Sequence, residues 1–321
     1  MRLIVVGSGG SQPTPKAGCA CRVCTAARRF GGRHQRAGPS LYVHEGAVLI
    51  DTPEEINARL VALDLAPQAV FWTHAHPDHA AGMRVIEFLA QARGRPVRGY
   101  VPHELYPELM RRYPLEHMAR RGWLEVTRFA PERPLQVAGL RWMALRHAEE
   151  EPIYSYVIEG AAGRVLYAPD HYQTLPVPEG RFALAVLQVP RLPQAALPAP
   201  LPPTHPAFRR FKAWEAVLEE WRGKTDRLVF THLYEAIGLL PEEYDRLART
   251  AGDWVGFAHD GMALELGEEA DPLALFEAFR ARQEEIARRY AHDPRRMREE
   301  MRKLLADPVY QRLKKGFRRG S

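Results

Sequence analysis

Short apolar runs along this chain end at polar residues that are able to carry chemistry. Five runs show this pattern: residues 47–50 precede Asp51, 70–73 precede His74, 140–146 precede His147, 165–167 shortly precede Asp170, and 228–231 precede His232. Short apolar runs bounded by polar or turn-forming residues are typical of β-strands. The pattern therefore predicts strands whose C-terminal ends present reactive side chains.

Helical periodicity lies between several of these predicted strands. The run Thr52-Pro53-Glu54-Glu55 predicts a capping box with proline at the first helical position, followed by apolar residues at helical spacing. Residues 83–91 and 208–221 also predict helices, and residues 140–146 and 153–158 predict a pair of strands. Residues 190–206, with seven prolines, predict a surface loop. This mixture indicates an α/β protein built from packed layers.

The pattern changes near residue 268. Asp271-Pro272, Asp293-Pro294 and Asp307-Pro308 each predict a helix N-cap followed by a first-turn proline. The apolar positions that follow each pair predict three amphipathic helices, which we expect to dock onto the main domain or onto a second copy in a homodimer. We therefore divide the chain into a main domain, residues 1–267, and a helical extension, residues 268–321.

Composition and charge narrow the class of protein. Of 321 residues, 46% are hydrophobic and 26% are charged, which suits a folded core. No apolar run approaches the roughly 20 residues of a membrane-spanning helix, so we expect no membrane association. The net charge is +6, but residues 268–321 contribute +4 of it, which argues against nucleic acid as a partner of the main domain. Three cysteines within six residues suit a reducing, cytoplasmic compartment.

The string His74-Ala75-His76-Pro77-Asp78-His79 holds four potential metal ligands directly after a predicted strand. Imidazole and carboxylate groups bind divalent zinc, manganese or iron. In an extended turn, His74 and His76 can point one way while Asp78 and His79 reach a neighbouring position. The string therefore predicts two adjacent metal ions.

This HxHxDH string, followed by more distant His, Asp and His residues, resembles the signature of the metallo-β-lactamase superfamily over residues 1–267. The resemblance implies an αββα sandwich of four layers, with the site along one edge of two stacked sheets. It also implies that Asp51 orients the ligand loop rather than binding metal. Apart from the resemblance, His171 is an alternative to its neighbour Asp170 as a ligand. The implied sets are His74, His76 and His147 for the first metal; Asp78, His79 and His232 for the second; and Asp170 bridging both.

The implied reaction is hydrolysis. In such a reaction two ions about 3.5–4 Å apart would share a hydroxide as the nucleophile, with Asp78 and Asp170 as the carboxylates next to it. The flavodiiron branch of the superfamily has glutamate where this chain has His76, which favours hydrolysis over reduction of oxygen or nitric oxide.

A second motif, the run Gly18-Cys19-Ala20-Cys21-Arg22-Val23-Cys24, carries three thiols that can hold one structural zinc ion. It resembles the segment found in PhnP-type cyclic-phosphate phosphodiesterases and in PqqB-type proteins of quinone cofactor synthesis. In the PhnP type, the fourth zinc ligand is a histidine three residues after the last active-site histidine. Glu235 stands at that position here, so we expect Glu235 as fourth ligand; the alternatives are His34, another group, or an incomplete site.

Residues 257–262 resemble the closing strand of PhnP-type and tRNase Z-type proteins, which makes His259 either a catalytic candidate or a packed histidine. The favoured function is a phosphodiesterase acting on small cyclic or nucleotide-like phosphates. Two alternatives remain: a PqqB-like oxidoreductase of cofactor biosynthesis, and a tRNase Z-like RNA-processing nuclease that uses the basic extension. The chain has no glycine-rich insertion like the tRNA-binding arm of tRNase Z.

Overall fold

The computed structural model describes residues 1–131, 133–147, 151–175, 177–199, 211–267 and 272–305. The chain divides into two compact units, Met1–Leu266 and Gly267–Ser321. The first unit holds two sheets of seven strands each. All five strands predicted from the apolar runs are present in these sheets.

The first sheet has the strand order β14-β1-β2-β3-β4-β5-β6. Strands β3 to β6 are parallel to one another, whereas β1 and β2 pair antiparallel with their neighbours. The parallel strands end at a common edge. The strands of the first sheet are β1 (Arg2–Gly7), β2 (Ser40–Val43), β3 (Val48–Ile50), β4 (Ala69–Phe71), β5 (Val97–Pro102), β6 (Leu124–Phe129) and β14 (Met262–Glu265).

The second sheet has the order β13-β12-β11-β10-β9-β8-β7. Strand β9 is antiparallel to both β8 and β10, and β10 to β13 are parallel, so β8, β10 and β12 all end at the same edge. The strands of the second sheet are β7 (Leu135–Val137), β8 (Leu140–His147), β9 (Ile153–Gly160), β10 (Gly163–Ala168), β11 (Leu184–Gln188), β12 (Leu228–Thr231) and β13 (Val255–Phe257).

Helices cover the sheets of the first unit. They are α1 (Arg22–Phe30), α2 (Ile56–Ala62), α3 (Pro77–Ala80), α4 (Val85–Arg93), α5 (Leu105–Arg112), α6 (Leu115–Arg120), α7 (Trp214–Trp221) and α8 (Pro241–Ala251). Helix α7 covers the later part of the helix predicted from residue 208, and residues 208–210 lie outside the described residues.

The second unit contains α9 (Pro272–Arg289) and α10 (Pro294–Leu305). The predicted cap at Asp293 is confirmed, because its carboxylate accepts a hydrogen bond from the Arg296 N–H at 3.0 Å. The third predicted helix, after Asp307-Pro308, lies outside the described residues. None of the helices within the described ranges combines the length and the apolar character needed to cross a bilayer.

The predicted capping box at residues 52–55 was wrong. Helix α2 begins at Ile56, and its N-cap residue, Glu55, makes no side-chain capping bond. The Thr52 hydroxyl instead accepts a hydrogen bond from the Trp72 indole N–H at 3.0 Å, and the Glu55 carboxylate accepts one from the Gly38 N–H at 3.3 Å. Both side chains are therefore engaged by tertiary partners that a local pattern does not reveal.

The core between the sheets is rich in aromatic rings. Phe71 of β4 stacks on Trp142 of β8, with ring centroids 4.3 Å apart and planes 10° apart, and meets Tyr156 of β9 edge-on at 5.2 Å. A second buried cluster lies under α7 and α8, where Trp214 stacks on Phe257. Two apolar layers, one between the sheets and one under these helices, account for the layered α/β sandwich predicted from the sequence.

Candidate metal centre

Five strand ends bring polar side chains together at one edge of the sandwich. Strands β3 and β4 lead to Asp51 and His74, and strands β8, β10 and β12 lead to His147, Asp170 and His232. All five residues are buried. Buried imidazole and carboxylate groups are costly unless they find partners, so this concentration of them indicates a site.

The ligand string turns directly from an extended segment into α3. Pro77 is the first residue of this short helix, which places Asp78 and His79 in its first turn while His74 and His76 remain in the extended part. Just after this helix, Gly82 packs tightly against the segment before α2, because a Cβ atom there would lie 1.9 Å from the Pro53 carbonyl oxygen. The predicted division of the string into two directions therefore has a local cause.

The first group of ligand atoms comes from His74, His76 and Asp170, which lie within 4.8 Å of one another. The Nε2 atom of His74 is 3.0 Å from Nδ1 of His76 and 3.6 Å from Oδ2 of Asp170. The Glu151 carboxylate, which the sequence analysis did not single out, lies 2.8 Å from Nε2 of His76. The group can therefore offer two imidazoles and one carboxylate to an ion.

The second group comes from Asp78, His79 and His232. The Oδ2 atom of Asp78 lies 3.4 Å from Nε2 of His79 and 3.4 Å from Nε2 of His232. Ligand bonds of about 2.0–2.1 Å at tetrahedral angles place neighbouring N and O ligands about 3.4 Å apart. This spacing is therefore that of ligands around a single ion.

Ring nitrogens without a hydrogen-bond partner also indicate that the second group binds a metal ion. Within the described residues, Nε2 of His79 and both ring nitrogens of His232 are buried without a hydrogen-bond partner. Leaving a buried polar atom unsatisfied costs about 1–3 kcal/mol. A cation held by these nitrogens removes that cost, so the residues fit a metal ion.

Asp170 connects the two groups. Its Oδ2 atom lies 3.6 Å from Nε2 of His74 and 3.9 Å from Nε2 of His232. Its Oδ1 atom accepts hydrogen bonds from the Gln188 side-chain amide at 2.7 Å and from the His171 N–H at 2.9 Å. One oxygen is thus fixed by the protein while the other faces both groups, as a bridging carboxylate requires.

Asp51 lies beneath the ligand string and orients it. Its carboxylate accepts hydrogen bonds from the Thr73 N–H and hydroxyl, both at 2.7 Å, and lies 2.8 Å from Nδ1 of His79. A carboxylate at Nδ1 leaves Nε2 of His79 for the second group, which is the usual arrangement behind a metal-binding histidine.

The electrostatics of the second group favour positive charge. Burial lowers the pKa of His79, but the carboxylates of Asp78 and Asp51 outweigh it and raise the pKa to about 9. Burial raises the pKa of Asp78, but the charge of His79 and the nearby ring of His232 hold it well below its usual range. A pocket that stabilises an imidazolium at His79 beside an ionised Asp78 is also suited to a divalent cation.

His147 belongs to neither group. Its Nδ1–H donates to the carbonyl of His171 at 2.9 Å, and its Nε2 lies 2.8 Å from the Ser155 hydroxyl. Burial lowers the pKa of His147 to about 4, so the ring is neutral and Nε2 carries the lone pair. This is the tautomer of a metal ligand, but the role of His147 as one stays a prediction.

His259 is also outside both groups. It follows β13, the neighbour of the strand that leads to His232, and its Nδ1 lies 3.2 Å from the Asp260 carbonyl oxygen. The adjacent Asp260 carboxylate accepts hydrogen bonds from the Ser8 N–H, the Ser8 hydroxyl and the Ala37 N–H. The acidic residue of this motif thus anchors the N-terminal loop, and a catalytic role for His259 stays a prediction.

The three cysteines form a separate cluster at the start of α1. Ligand atoms of Cys19, Cys21 and Cys24 lie within 4.8 Å of one another, and Cys24 is buried. The Cys24 thiol accepts a hydrogen bond from the Lys16 N–H at 3.4 Å, and burial raises the pKa of this thiol to about 11. The cluster matches the sulfur ligands of a tetrahedral zinc site.

The fourth ligand of this cluster stays a prediction. The Glu235 carboxylate forms an ion pair with the Lys16 ammonium group and is not part of the cysteine group. The alternative, His34, has its Nε2 atom 3.7 Å from a carboxylate oxygen of Glu242 and is also outside the group.

Comparison with known proteins agrees with this fold. Residues 47–191 match the family model described as the Beta-lactamase superfamily domain. This stretch, which is just under half of the chain, is therefore similar to a superfamily whose members are mostly hydrolases and typically use divalent metals.

Solved structures share the fold at low sequence identity. A diphosphatase from the PhnP family is 21% identical, with a TM-score of 0.60 over 82% of this chain and 97% of that one. Zn²⁺-bound PqqB from Methylobacterium extorquens is 18% identical, with a TM-score of 0.60 over 83% of this chain and 100% of that one. The short form of human tRNase Z is 15% identical, with a TM-score of 0.53 over 83% and 99%. At these identities the likeness concerns the fold alone.

A curated relative is named octanoyltransferase, from Porphyromonas gingivalis. It is 32% identical over 170 residues, which are 49% of this chain and 33% of that protein. The chain thus matches about a third of the length of this relative.

Proposed function

We propose that this protein is a dinuclear metal-dependent hydrolase, a phosphodiesterase acting on small cyclic or nucleotide-like phosphates. The observation that carries the proposal is the position of Asp170 Oδ2, 3.6 Å from His74 and 3.9 Å from His232. A carboxylate oxygen between two ligand groups is what a pair of neighbouring ions needs.

The proposed metal ligands are the side chains of the two ligand groups at the sheet edge, together with His147. His74, His76 and Asp170 would hold the first ion, and Asp78, His79, His232 and Asp170 the second, with His147 the further predicted ligand of the first. The chemistry that divalent zinc, manganese or iron supplies when bound is Lewis acidity, which activates water and neutralises charge on substrate oxygens.

The surrounding residues hold this arrangement rigid. Asp51 fixes the ring of His79, and Gln188 fixes the carboxylate of Asp170. The Tyr156 hydroxyl donates to the Trp72 carbonyl at 2.6 Å and so connects the second sheet to the start of the ligand string. Pre-organised ligands of this kind lower the reorganisation needed during the reaction.

Two features support a phosphate substrate. The fold is similar to that of a diphosphatase from the PhnP family, and the cysteine cluster resembles the segment of that branch. We propose one structural zinc at the cysteine cluster, where it would stabilise the N-terminal segment rather than take part in the reaction.

A second candidate is hydrolysis of an acyl thioester. It is favoured by the 32% identity with a protein named octanoyltransferase, although the match spans a third of that protein. Because two metal ions can polarise a thioester carbonyl as well as a phosphoryl group, the same site suits both reactions.

The test is a substrate panel on protein loaded separately with zinc, manganese or iron. Bis(p-nitrophenyl) phosphate and cyclic nucleotides probe phosphodiester cleavage, and octanoyl thioesters probe acyl hydrolysis. We expect metal-dependent turnover of the phosphodiesters that His79→Ala abolishes and His117→Ala, a change of an exposed histidine, leaves intact. Turnover of thioesters alone would reject the phosphate assignment, and equal turnover in the two variants would reject the site.

A further inference from the structure

One more imidazole lies at the edge site without belonging to either ligand group. His171 directly follows Asp170, and its backbone is left-handed, with φ at +51°. Its N–H donates to Oδ1 of Asp170 at 2.9 Å and to the Gln188 side-chain oxygen at 3.0 Å, and its carbonyl accepts from Nδ1 of His147 at 2.9 Å. The backbone of His171 is therefore fixed on both sides by residues of the site.

The side chain of His171 lies on the reactive side of Asp170. Its Nε2 atom is 3.6 Å from Oδ2, the same oxygen that faces both ligand groups. Its ring centroid is 6.2 Å from that of His76. The ring is thus close enough to touch a molecule that occupies the site.

Exposure sets this ring, together with that of His76, apart from the buried histidines of the site. The side chains of His171 and His76 are 37% and 32% exposed, whereas those of His74, His79 and His232 are 2%, 0% and 7% exposed. Of these two exposed rings, His76 belongs to a ligand group and His171 does not, so His171 can be reached from solvent without being a proposed metal ligand. A left-handed backbone is uncommon for residues other than glycine, although histidine adopts it more often than most, and such positions cluster at binding sites.

We propose that His171 is a substrate-contacting residue, whose ring N–H donates a hydrogen bond to an anionic oxygen of the substrate held beside Asp170. The inference rests on the proposed function and deepens it, because an imidazole donor at this position selects a substrate with a charged oxygen. A phosphodiester presents such an oxygen, and a thioester does not.

Two variants test this without changing the backbone. Glycine and asparagine both accept the left-handed conformation, so His171→Gly removes the donor and His171→Asn replaces it with a shorter amide donor. For the metal-loaded protein, we would measure metal content, the Kd of inorganic phosphate, and KM and kcat for bis(p-nitrophenyl) phosphate.

We expect unchanged metal content in both variants. In His171→Gly, the Kd of phosphate and the KM of the diester should rise about tenfold to a hundredfold, as for the loss of a hydrogen bond to a charged group. His171→Asn should recover part of this loss. Loss of a metal equivalent in His171→Gly, or an unchanged Kd and KM in both variants, would overturn the inference.

The phosphate measurement separates this inference from the proposed function. If the wild type cleaves no phosphodiester while His171→Gly still weakens phosphate binding at constant metal content, the proposed function fails and the contact with an anionic oxygen stands. If the wild type cleaves phosphodiesters and neither variant alters binding or KM, the contact fails and the proposed function stands.

Discussion

The two candidate metal clusters of this protein are built in opposite ways. The edge cluster gathers buried side chains from strand ends between residues 51 and 232, in both sheets. The cysteine cluster uses three residues within a single run of six, and Cys21 is exposed. The first therefore depends on the whole sandwich, whereas the second depends on a short segment at the start of α1.

Replacing the shared carboxylate should have the largest effect. Asp170→Ala removes the one oxygen that faces both groups, so we expect loss of metal from the edge cluster and a fall in turnover of more than about a hundredfold, with the fold retained. Metal analysis, turnover and circular dichroism would check this. Asp226→Ala, which removes an exposed carboxylate, is the control, and full turnover in Asp170→Ala would contradict the account.

Replacing Asp51, which supports the ligand string from behind, should have an intermediate effect on metal affinity. Asp51→Asn keeps the shape but weakens the acceptor for His79 Nδ1, so we expect metal affinity to fall about tenfold to a hundredfold. Asp64→Asn is a matched control, because Asp64 is exposed and also has a left-handed backbone. Titration of the apo-protein with metal would measure both, and equal affinities would show that Asp51 does not orient the ligands.

Replacing a cysteine should remove metal from the cysteine cluster and leave the metal content of the edge cluster unchanged. Cys24→Ser replaces its buried thiol, so we expect loss of one metal equivalent while the two equivalents of the edge cluster remain. Thr25→Ser, the next residue on α1, serves as the control. Elemental analysis of the purified variants would decide, and loss of all three equivalents together would show that the clusters are not independent.

The smallest effect is expected where α1 meets α8. Arg22 donates to both carboxylate oxygens of Glu243, at 2.9 and 2.6 Å, but its side chain is 47% exposed. Exposed ion pairs contribute about 0–1 kcal/mol, so Arg22→Ala should change the free energy of unfolding by less than about 1 kcal/mol. Urea unfolding would measure this. A much larger loss would mean that this contact, rather than the local chain, supports the cysteine segment.

The sequence predicted the parts of the site whose residues lie close together along the chain. The apolar runs located the strands, and the HxHxDH string located two sets of side chains that the structure does bring into separate groups. The meeting of both sheets at one edge followed from the resemblance and not from the runs themselves, because strand order is not written in local periodicity.

The residues that contact the site residues from distant positions in the chain could not be predicted from local sequence patterns. Gln188 holds Asp170, and its only signal is a polar residue at the end of an apolar strand. Ser155, which faces His147, and Glu151, which faces His76, carry no local pattern at all. The capping box failed for the same reason, since Thr52 binds Trp72 across the fold.

The most direct test is a crystal structure of the metal-loaded protein with anomalous scattering at the metal edge. The account predicts two ions about 3.5–4 Å apart, one bound by His74 and His76, the other by Asp78, His79 and His232, with Asp170 contacting both. A single ion at this edge, or two ions of which only one touches Asp170, would contradict it.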